Sequence, residues 1–354
     1  MPRGRNLSSE KDVCHDMPAR SMALRIITQR RCVVNPTPGK SACRLSLAIL
    51  LLATGVVWFT PPHACAAGAG QAAYTFLKIG TDARAEGMGG AYTGLADGLG
   101  ALTYNPAGLG YLAPKQFMAT YNNWLTDIQS GFIAGTWKLG ETDRIGVAAQ
   151  YVDYGTFRAA DKTGTSLPSF SASDFALALS WGRSIRSRSS LGASVRFIAE
   201  SIDNQSSSAF AVDLGFLYRM PDEHTRIGVA VRNAGFQMKA FGDGAKDKLP
   251  VTGVLGFSHQ LRGAPVLFVV DAMKSYDSKF GAAFGAEISA LSPLLLRAGY
   301  NTLGGQVDTG TNSDKLSGLS FGAGFTMSRV TIDYAFGFMS KLGSTHRFTL
   351  RTGF

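Results

Sequence analysis

Residues 330–338 read Val330-Thr331-Ile332-Asp333-Tyr334-Ala335-Phe336-Gly337-Phe338, so that a large apolar side chain alternates with a small or polar one. Successive side chains of a β-strand point to opposite faces, and this period of two therefore predicts a strand with one apolar and one polar face. The same alternation runs through residues 191–198, 210–218 and 280–288. The pattern indicates β-structure with two different faces through most of the chain.

The polar face favours a membrane barrel over a soluble sandwich, which also alternates but turns its apolar face inward. This face is rich in Gly and Ala and contains charges, as expected for the lumen side of a barrel whose apolar face meets lipid. Aromatic residues such as Tyr121, Trp137 and Trp181 lie near segment ends, where barrels carry girdles, although strands are generally rich in aromatics. The charges predicted to face the lumen are Arg196, Asp213, Glu287, Arg297, Asp333, Arg347 and Arg351.

About fourteen such segments follow one another from Gln116 onward, an even number, as bacterial barrels require. If both ends of the barrel chain are periplasmic, the connections after odd-numbered segments face outward and those after even-numbered segments face the periplasm. The even connections are short, as at Leu291–Ser292, and a sandwich would have no reason to sort its loops in this way. The longest connections are all odd: Phe157–Phe170, Lys239–Pro250 and Thr302–Lys315. We therefore predict an all-β fold, a membrane antiparallel β-barrel of about fourteen strands over residues 115–354.

The end of the sequence supports the same interpretation. Phe348, Leu350, Thr352 and Phe354 alternate with polar residues, and the sequence closes on the aromatic Phe354. A terminal amphipathic strand of this kind resembles the signal that outer-membrane barrels present to their assembly machinery. The expected partners are therefore outer-membrane lipid and, through Phe354, the barrel assembly machinery.

Residues 1–66 read as a leader that contains a signal peptide. The apolar run Leu45–Phe59 follows Lys40 and Arg44 and precedes Ala64-Cys65-Ala66, which predicts cleavage near Ala66 and an outer-membrane location. A transmembrane anchor is the alternative, although the run is short for a span of about 20 residues. A lipidated Cys65 is a further alternative, which Pro61 and Pro62 disfavour.

Removal of this leader changes the composition of the chain. All four cysteines precede the predicted cleavage point, so disulfides and thiol chemistry are not expected. The leader holds nine Lys or Arg and three Asp or Glu, and the net charge falls from +10 to +4 without it. Nucleic acid is therefore not an expected partner.

Residues 67–114, the plug segment, differ from the strands that follow. Gly87-Met88-Gly89-Gly90-Ala91 is too rich in small residues to build its own core, and short helical turns packed inside something larger fit it better. Farther on, the chain reads Asn105-Pro106-Ala107-Gly108-Leu109. Pro106 biases Asn105 away from the α-region, and the Asn105 side chain can bond to the backbone two residues on, so a rigid turn is expected.

These two runs resemble the N-terminal signature of the PorV/PorQ family, which is related to the FadL-type transporters of long-chain fatty acids. The resemblance is most specific over residues 73–112 and concerns architecture elsewhere. It implies a fourteen-stranded barrel whose lumen is plugged by the N-terminal segment, with Gly87, Met88, Gly89, Gly90, Asn105, Pro106 and Ala107 as the plug and turn motif. Turn chemistry alone favours a purely structural role for Asn105–Ala107, with no ligand contact.

Two functions follow from the resemblance. The first is transport or binding of a hydrophobic or amphipathic molecule, gated by the plug segment. The alternative is a PorV-type component of type IX protein secretion, which would bind secreted cargo or other secretion-system proteins. The sequence itself does not distinguish the two.

Motifs for catalysis or cofactor binding are missing from the sequence. Gly87-Met88-Gly89 has no third glycine at dinucleotide-binding spacing, and neither a phosphate loop nor a His-x-x-x-His pair occurs. Asp213 and Asp271 are interpreted as partners of lumen arginines rather than as an acid–base pair. The expectation is a protein that is not an enzyme and uses no metal or cofactor.

Overall fold

The computed structural model describes residues 72–113, 115–125, 128–160, 164, 166–242, 244–304 and 316–353. The predicted signal peptide, its cleavage near Ala66 and the terminal Phe354 lie outside the described residues and stay predictions.

Fourteen antiparallel strands form one closed barrel in which each strand pairs with its neighbours in sequence and β1 pairs with β14. Register contacts such as Gln116↔Gly353 close the sheet, so that no strand edge is left along this seam. The predicted number of strands and the antiparallel arrangement are confirmed. The strands are β1 Gln116–Asn123, β2 Gln129–Lys138, β3 Asp143–Ala160, β4 Ser166–Arg186, β5 Ser189–Ile202, β6 Gln205–Arg219, β7 Thr225–Lys239, β8 Thr252–Gln260, β9 Val266–Ser275, β10 Phe280–Leu291, β11 Leu294–Asn301, β12 Leu319–Met327, β13 Val330–Phe338 and β14 Ser344–Gly353.

The two faces of the wall differ as the alternation predicts. On β6, Val212 and Leu214 are exposed, with Leu214 retaining 56% of its accessible surface, whereas Ala211 and Asp213 are buried. Large apolar side chains therefore cover the outside of the barrel, which is the surface that meets lipid in a membrane barrel. Small and charged side chains occupy the inside.

One predicted loop is wrong. Most of Phe157–Phe170 is paired strand, because β3 runs to Ala160 and β4 begins at Ser166. The stacked rings of Phe157 and Phe170, whose centroids are 5.2 Å apart, stabilise this extension. With 18 and 21 residues, β3 and β4 are far longer than the 8 to 12 residues of β8 to β14. Their hairpin therefore projects beyond the rest of the barrel rim.

The plug segment consists of short helical turns. A 3₁₀ turn spans Thr75–Lys78, α1 spans Ala83–Gly87, α2 spans Ala101–Tyr104, and a second 3₁₀ turn spans Pro106–Tyr111. Asp82 caps α1, since its side chain accepts a hydrogen bond from the Arg84 amide. Within the described part of the chain, no helix has the length and apolar character needed to cross a membrane.

The apolar core lies between the plug segment and the inner face of the wall. Leu102 and Leu109 pack with Phe132 and Leu217, and Tyr74 and Phe76 join a second cluster with wall residues of β3 to β6. A third cluster joins Met88 and its neighbours to β9 and β10. Because strands on several sides of the barrel contact it, the plug segment lies within the lumen.

Candidate functional site: the lumen and its plug

Asn105 fixes the turn that seats the plug segment on the wall. Its backbone is extended, as expected before Pro106, and its Oδ1 accepts a hydrogen bond of 3.1 Å from the Ala107 amide. Its Nδ2 donates to the carbonyl oxygens of Thr93, at 2.9 Å, and Phe216, at 3.2 Å. The expected turn is therefore present, and the same side chain also links two parts of the plug segment to β6.

Glycines in the wall make room for this turn. A β-carbon on Gly192 would lie 2.2 Å from the Pro106 carbonyl carbon, and one on Gly228 would lie 2.2 Å from the Thr93 carbonyl oxygen. Real β-carbons do not approach other atoms so closely, so these positions accept only glycine while the turn keeps its place. The small residues of the inner face thus form a seat for the plug segment.

Gly87–Gly90 makes a second contact with the wall. Gly89 has a φ of +73°, donates its amide to Ser320 Oγ at 3.0 Å, and accepts a hydrogen bond from Asn301 Nδ2 at 3.0 Å. Met88 is fully buried against Gly285 and Gly299. The end of α1 is therefore held to β10, β11 and β12 through backbone contacts.

A series of ion pairs connects the plug segment with β10, β11, β13 and β14. Arg84 donates through Nε and Nη2 to the two carboxylate oxygens of Glu287, both at 2.8 Å. Arg297 donates to Glu287 at 2.6 Å and to Asp333 Oδ1 at 2.7 Å, and Asp333 also accepts from Arg351 Nε at 2.9 Å. The side chains of Arg297 and Asp333 are completely buried. Isolated charges would be unfavourable in this buried position because they lose their hydration. The alternation of positive and negative groups along the series of ion pairs offsets that cost.

The remaining predicted charges lie on the inner face as well. Arg347 pairs with Glu86 of α1 at 3.2 Å, and Glu86 also accepts a hydrogen bond from the Tyr104 hydroxyl at 2.8 Å. Arg196 pairs with Asp213 through Nη2 at 2.7 Å. The structure therefore divides the predicted lumen charges between the two sides of the barrel rather than gathering them in one site.

The direct contacts of Asp271 are with the plug segment, and among the described residues it makes no ion pair with an arginine. Its Oδ2 accepts hydrogen bonds from the backbone amides of Tyr92, at 3.0 Å, and Thr93, at 2.9 Å. Adjacent amides of a turn form a small concave donor site, which here holds one carboxylate oxygen of Asp271. Asp271 therefore anchors the middle of the plug segment to β9.

Lys78 and Asp277 connect the start of the plug segment with the connection between β9 and β10. The Lys78 ammonium donates to the Asp277 carboxylate, which also accepts a hydrogen bond from Ser275 Oγ at 2.8 Å. Burial raises the pKa of Asp277, but the hydrogen bonds from Lys78 and Ser275 outweigh it and hold the pKa below its ordinary value.

A cavity of about 550 Å³ lies between Thr75–Thr81 and the wall. Its lining includes Trp124, Ser278, Leu303 and Met339, which belong to connections after β1, β9, β11 and β13. We call the end of the barrel formed by these connections the odd end, and the opposite end, with the short turns, the even end. The cavity therefore belongs to the odd end.

The plug segment fills the lumen at the even end. Ser190 Oγ donates to the Ala107 carbonyl oxygen at 2.7 Å, and Arg144 Nε donates to the Leu112 carbonyl oxygen at 3.2 Å. The Arg219 guanidinium lies 3.6 Å from the centre of the Tyr111 ring. The cavity is thus separated from the even end by packed side chains and hydrogen-bonded backbone.

Known structures share this architecture. The fold is similar to that of the toluene transporter TbuX of Ralstonia pickettii, with a TM-score of 0.55 and 14% identity over 78% of this chain and 98% of that one. The toluene transporter TodX of Pseudomonas putida gives 0.55 and 14% over 77% and 96%, and a FadL homologue of Pseudomonas aeruginosa gives 0.50 and 12% over 77% and 97%. The fold is that of FadL-like outer-membrane barrels. No protein-family model matches the chain, and no curated protein sequence matches it. The narrower PorV/PorQ resemblance stays a prediction.

Several lumen residues were not predicted from the sequence. Arg84 and Asp97 form an ion pair at 2.7 Å within the plug segment, and Arg232 lines the cavity. Arg84 is an arginine among small residues, which could have marked it as an anchor to the wall. Arg232 gives no such signal. It follows the apolar Val231, so the alternation predicts only that its side chain points inward, whatever the residue type.

Proposed function

We propose that this chain is an outer-membrane barrel that admits a hydrophobic or amphipathic small molecule at its odd end, with the plug segment as the gate. The observation that carries the proposal is the cavity of about 550 Å³, which the plug segment separates from the even end. A volume of this size is typical of small-molecule sites. The proteins with similar folds are described as toluene transporters and a FadL homologue, which supports the same class of cargo.

The orientation follows from the connections. Barrels of the outer membrane have short periplasmic turns and longer external loops. Here the even connections are short, as at residues 187–188 and 292–293, while the odd end carries residues 240–251, residues 302–318 and the long β3–β4 hairpin. The odd end therefore faces outside in this proposal, and a molecule would enter the cavity before the plug segment moves.

Passage requires the plug segment to shift, because packed residues fill the even end. The contacts that resist this movement are the Asn105 turn, the backbone contacts of Gly89, and the ion pairs of Arg84 and Glu86. Hydrogen bonds and ion pairs are reversible, so these contacts can break and form again without any covalent change. A gate held in this way is compatible with repeated opening.

The PorV-type role in type IX secretion is the alternative. The residues that carry this resemblance, Gly87–Ala91 and Asn105–Leu109, are mostly buried and do not offer a surface to a protein partner. The projecting β3–β4 hairpin, with Phe157 and Leu167 exposed, is the surface that such a partner would contact. Transport accounts for the cavity and for the plug segment in the lumen, which the secretion role does not use. It is therefore the function we favour.

Uptake by cells that express the full chain tests the proposal. The double variant Ala83→Cys/Thr349→Cys is designed to link α1 to β14 by a disulfide, at two positions in contact through the hydrogen bond of 2.9 Å from the Ala83 amide to Thr349 Oγ1. We expect uptake of radiolabelled toluene or of a labelled aromatic carboxylate to exceed that of cells without the chain, to fall when the link is oxidised, and to recover on reduction. Each single cysteine variant is the matched control.

Two results would overturn this proposal. Uptake no greater than in cells without the chain removes transport, and uptake that the oxidised link does not affect removes gating by the plug segment. Stable copurification of secreted proteins in the first case would favour the secretion role.

A further inference from the structure

β7 is longer than its neighbour β8 at the odd end of the wall. It continues beyond Arg232, which is the last of its residues to pair with β8. The connection of residues 240–251 lies beside the part of β7 that β8 does not reach, and its Asp247 amide donates to Gln237 Oε1 at 2.7 Å. A connection replaces a paired strand at this place, so the wall is not a continuous sheet there.

A groove of about 310 Å³ lies where β8 is short, and we call it the outer groove. Phe236 and Tyr276 line it and are exposed, with Phe236 retaining 65% of its accessible surface. Phe236 stands opposite Phe210, which is exposed on the outer face of β6. The outer groove therefore opens on the outside of the barrel and not into the lumen. Its lining includes Phe236, Lys246, Lys248, Val251 and Tyr276.

The polar part of the outer groove is basic. Lys248 Nζ donates to the Tyr276 hydroxyl at 3.0 Å and lies 4.8 Å from the centre of the same ring. The Lys248 carbonyl oxygen accepts a hydrogen bond of 3.1 Å from the Ala73 amide, so the plug segment holds its backbone from the inside. Asp247 also lines the groove, and among the described residues it forms no ion pair with Lys246 or Lys248.

Further lysines surround the outer groove. Lys274 and Tyr276 are exposed on either side of the buried Ser275, so both side chains lie on the outer face of the wall. Gly253, which pairs with Lys274 from β8, leaves open space beside it. Five exposed lysines of this region make no ion pair with a carboxylate among the residues that the structure describes. They are Lys239, Lys246, Lys248, Lys274 and Lys279.

The position of these lysines indicates what their counter-ion is attached to. Lys274 projects sideways from the wall, and the outer face beside it and toward the middle of the barrel is apolar, with Val231, Leu255 and Phe268 exposed. The lysines therefore mark the border of the lipid-facing surface, where cationic side chains meet the head groups of anionic lipids. A protein partner would approach from the rim and would not need cations on this side of the wall.

We propose that the outer groove binds one molecule of lipid A, the phosphorylated glycolipid of the outer leaflet, with its phosphates on Lys248 and Lys274 and its apolar part against Phe236. Ammonium groups bind phosphate as point charges, and each of these lysines has donors left for it. The inference rests on the orientation given under the proposed function, with the odd end outside, but not on transport itself.

Native mass spectrometry of the full chain in detergent tests the inference, with bisphosphorylated lipid A and phosphatidylglycerol as probes. We expect one lipid A per chain, bound at least tenfold more tightly than phosphatidylglycerol. Lys248→Gln/Lys274→Gln should weaken lipid A binding at least fivefold, whereas Lys248→Arg/Lys274→Arg, which keeps both charges, should change it less than twofold. Arg186→Gln/Arg188→Gln, at the exposed even end, is the matched control for charge. Arg158→Gln, on the exposed β3–β4 hairpin, is the control at the same end.

Two binding results would overturn the inference. Unchanged lipid A binding in Lys248→Gln/Lys274→Gln would remove these lysines from the site. Equally tight binding of phosphatidylglycerol would mean that the surface attracts any anionic lipid. Heat-dependent gel mobility identifies a double variant that fails to fold, in which case Lys274→Gln alone decides, with at least a twofold loss expected.

The orientation and the transport proposal are tested separately. Asn204→Cys, in the exposed turn between β5 and β6 at the odd end, should react with a membrane-impermeant maleimide on intact cells. No reaction would place the odd end in the periplasm and would overturn the inference. Lipid A binding as expected, together with no uptake by cells, would remove transport and leave this inference standing.

Discussion

The side-chain oxygen of Asn105 lies 2.1 Å from the position that a β-carbon would occupy on Gly215 of β6. The same strand supplies the Phe216 carbonyl oxygen that accepts a hydrogen bond from Asn105 Nδ2. The turn of the plug segment and this glycine are therefore fitted to each other, and a change in the wall alone can test how firmly the turn is seated.

Gly215→Ala should loosen the seat of the plug segment. Overpacking at a site that cannot expand costs roughly 1–3 kcal/mol, and here the methyl group would displace a hydrogen-bonded asparagine. Urea unfolding in lipid vesicles should show that loss of stability. Gly253→Ala is the control, because Gly253 faces outward from β8 and has open space around it. This substitution brings the same gain in strand propensity as Gly215→Ala but no clash. Equal stability of the two variants would contradict the tight fit.

Leu214→Arg should be unfavourable because Leu214 projects from the lipid face of β6, with 56% of its surface exposed. An arginine on that face costs about 2–4 kcal/mol near the bilayer midplane. The free energy of folding into vesicles measures the effect. Ser169→Arg, on the exposed β3–β4 hairpin, should change it by less than about 0.5 kcal/mol. If both variants fold equally well, β6 does not face lipid.

The sequence was sufficient to predict the barrel, because the sequence signals of a barrel are local. Alternation and strand number each depend on neighbouring residues, and both agree with the structure. The β3–β4 hairpin was misread as a loop because Gly155, Gly164 and Pro168 are turn-forming residues. Pairing such as Phe157↔Phe170 and Ala160↔Ser166 across the hairpin outweighs those local preferences.

The contacts of the lumen were less predictable, because they join distant parts of the chain. Arg84 and Glu287 are separated by 203 residues, and nothing in either local pattern selects the partner. In the sequence, Asp271 does not differ from any other inward-facing carboxylate. Its hydrogen bonds with the Tyr92 and Thr93 amides are visible only in the folded structure. Between β6 and β7, Asp213 faces both Arg232 and Asn233, so the strand pairing shifts by one residue. A shift of one residue is too short a signal to separate from ordinary variation in the alternation.

The link between Lys78 and Asp277 should weaken in acid. The pKa of Asp277 lies below its ordinary value, so its contribution is fully present above that ordinary value, about 4, and is lost as the pH falls through the lowered pKa. A spin label at the exposed Thr75 position should therefore become mobile only below about pH 4. In Asp277→Asn the label should be mobile at every pH. A transition above pH 5 would assign the effect to another group.

Arg84→Met should release the plug segment from β10. The change leaves Arg297 as the only partner of Glu287 among the described ion pairs. It also removes the ion pair of 2.7 Å between Arg84 and Asp97. Loss of one partner of a buried pair costs roughly 3–5 kcal/mol, and part of that cost falls on the attachment of the plug segment. Limited digestion with proteinase K should cut within residues 72–113 faster than in the unmodified chain. Arg158→Met should not change that rate, and equal rates in both variants would remove Arg84 as an anchor.

Gly89→Ala should open the lumen without unfolding the barrel. Gly89 has a φ of +73°, and a β-carbon there would lie 2.8 Å and 2.9 Å from the backbone nitrogen and oxygen of Tyr300. Backbone atoms of a paired strand cannot move aside, so α1 must withdraw from β11, and single-channel conductance in planar bilayers should rise. Gly263→Ala is the matched control, since Gly263 has a φ of +76° but open space around it, so it adds the conformational strain without the clash. Equal conductance of both variants, with heat-dependent gel mobility showing folded barrels, would mean that the plug segment does not control passage.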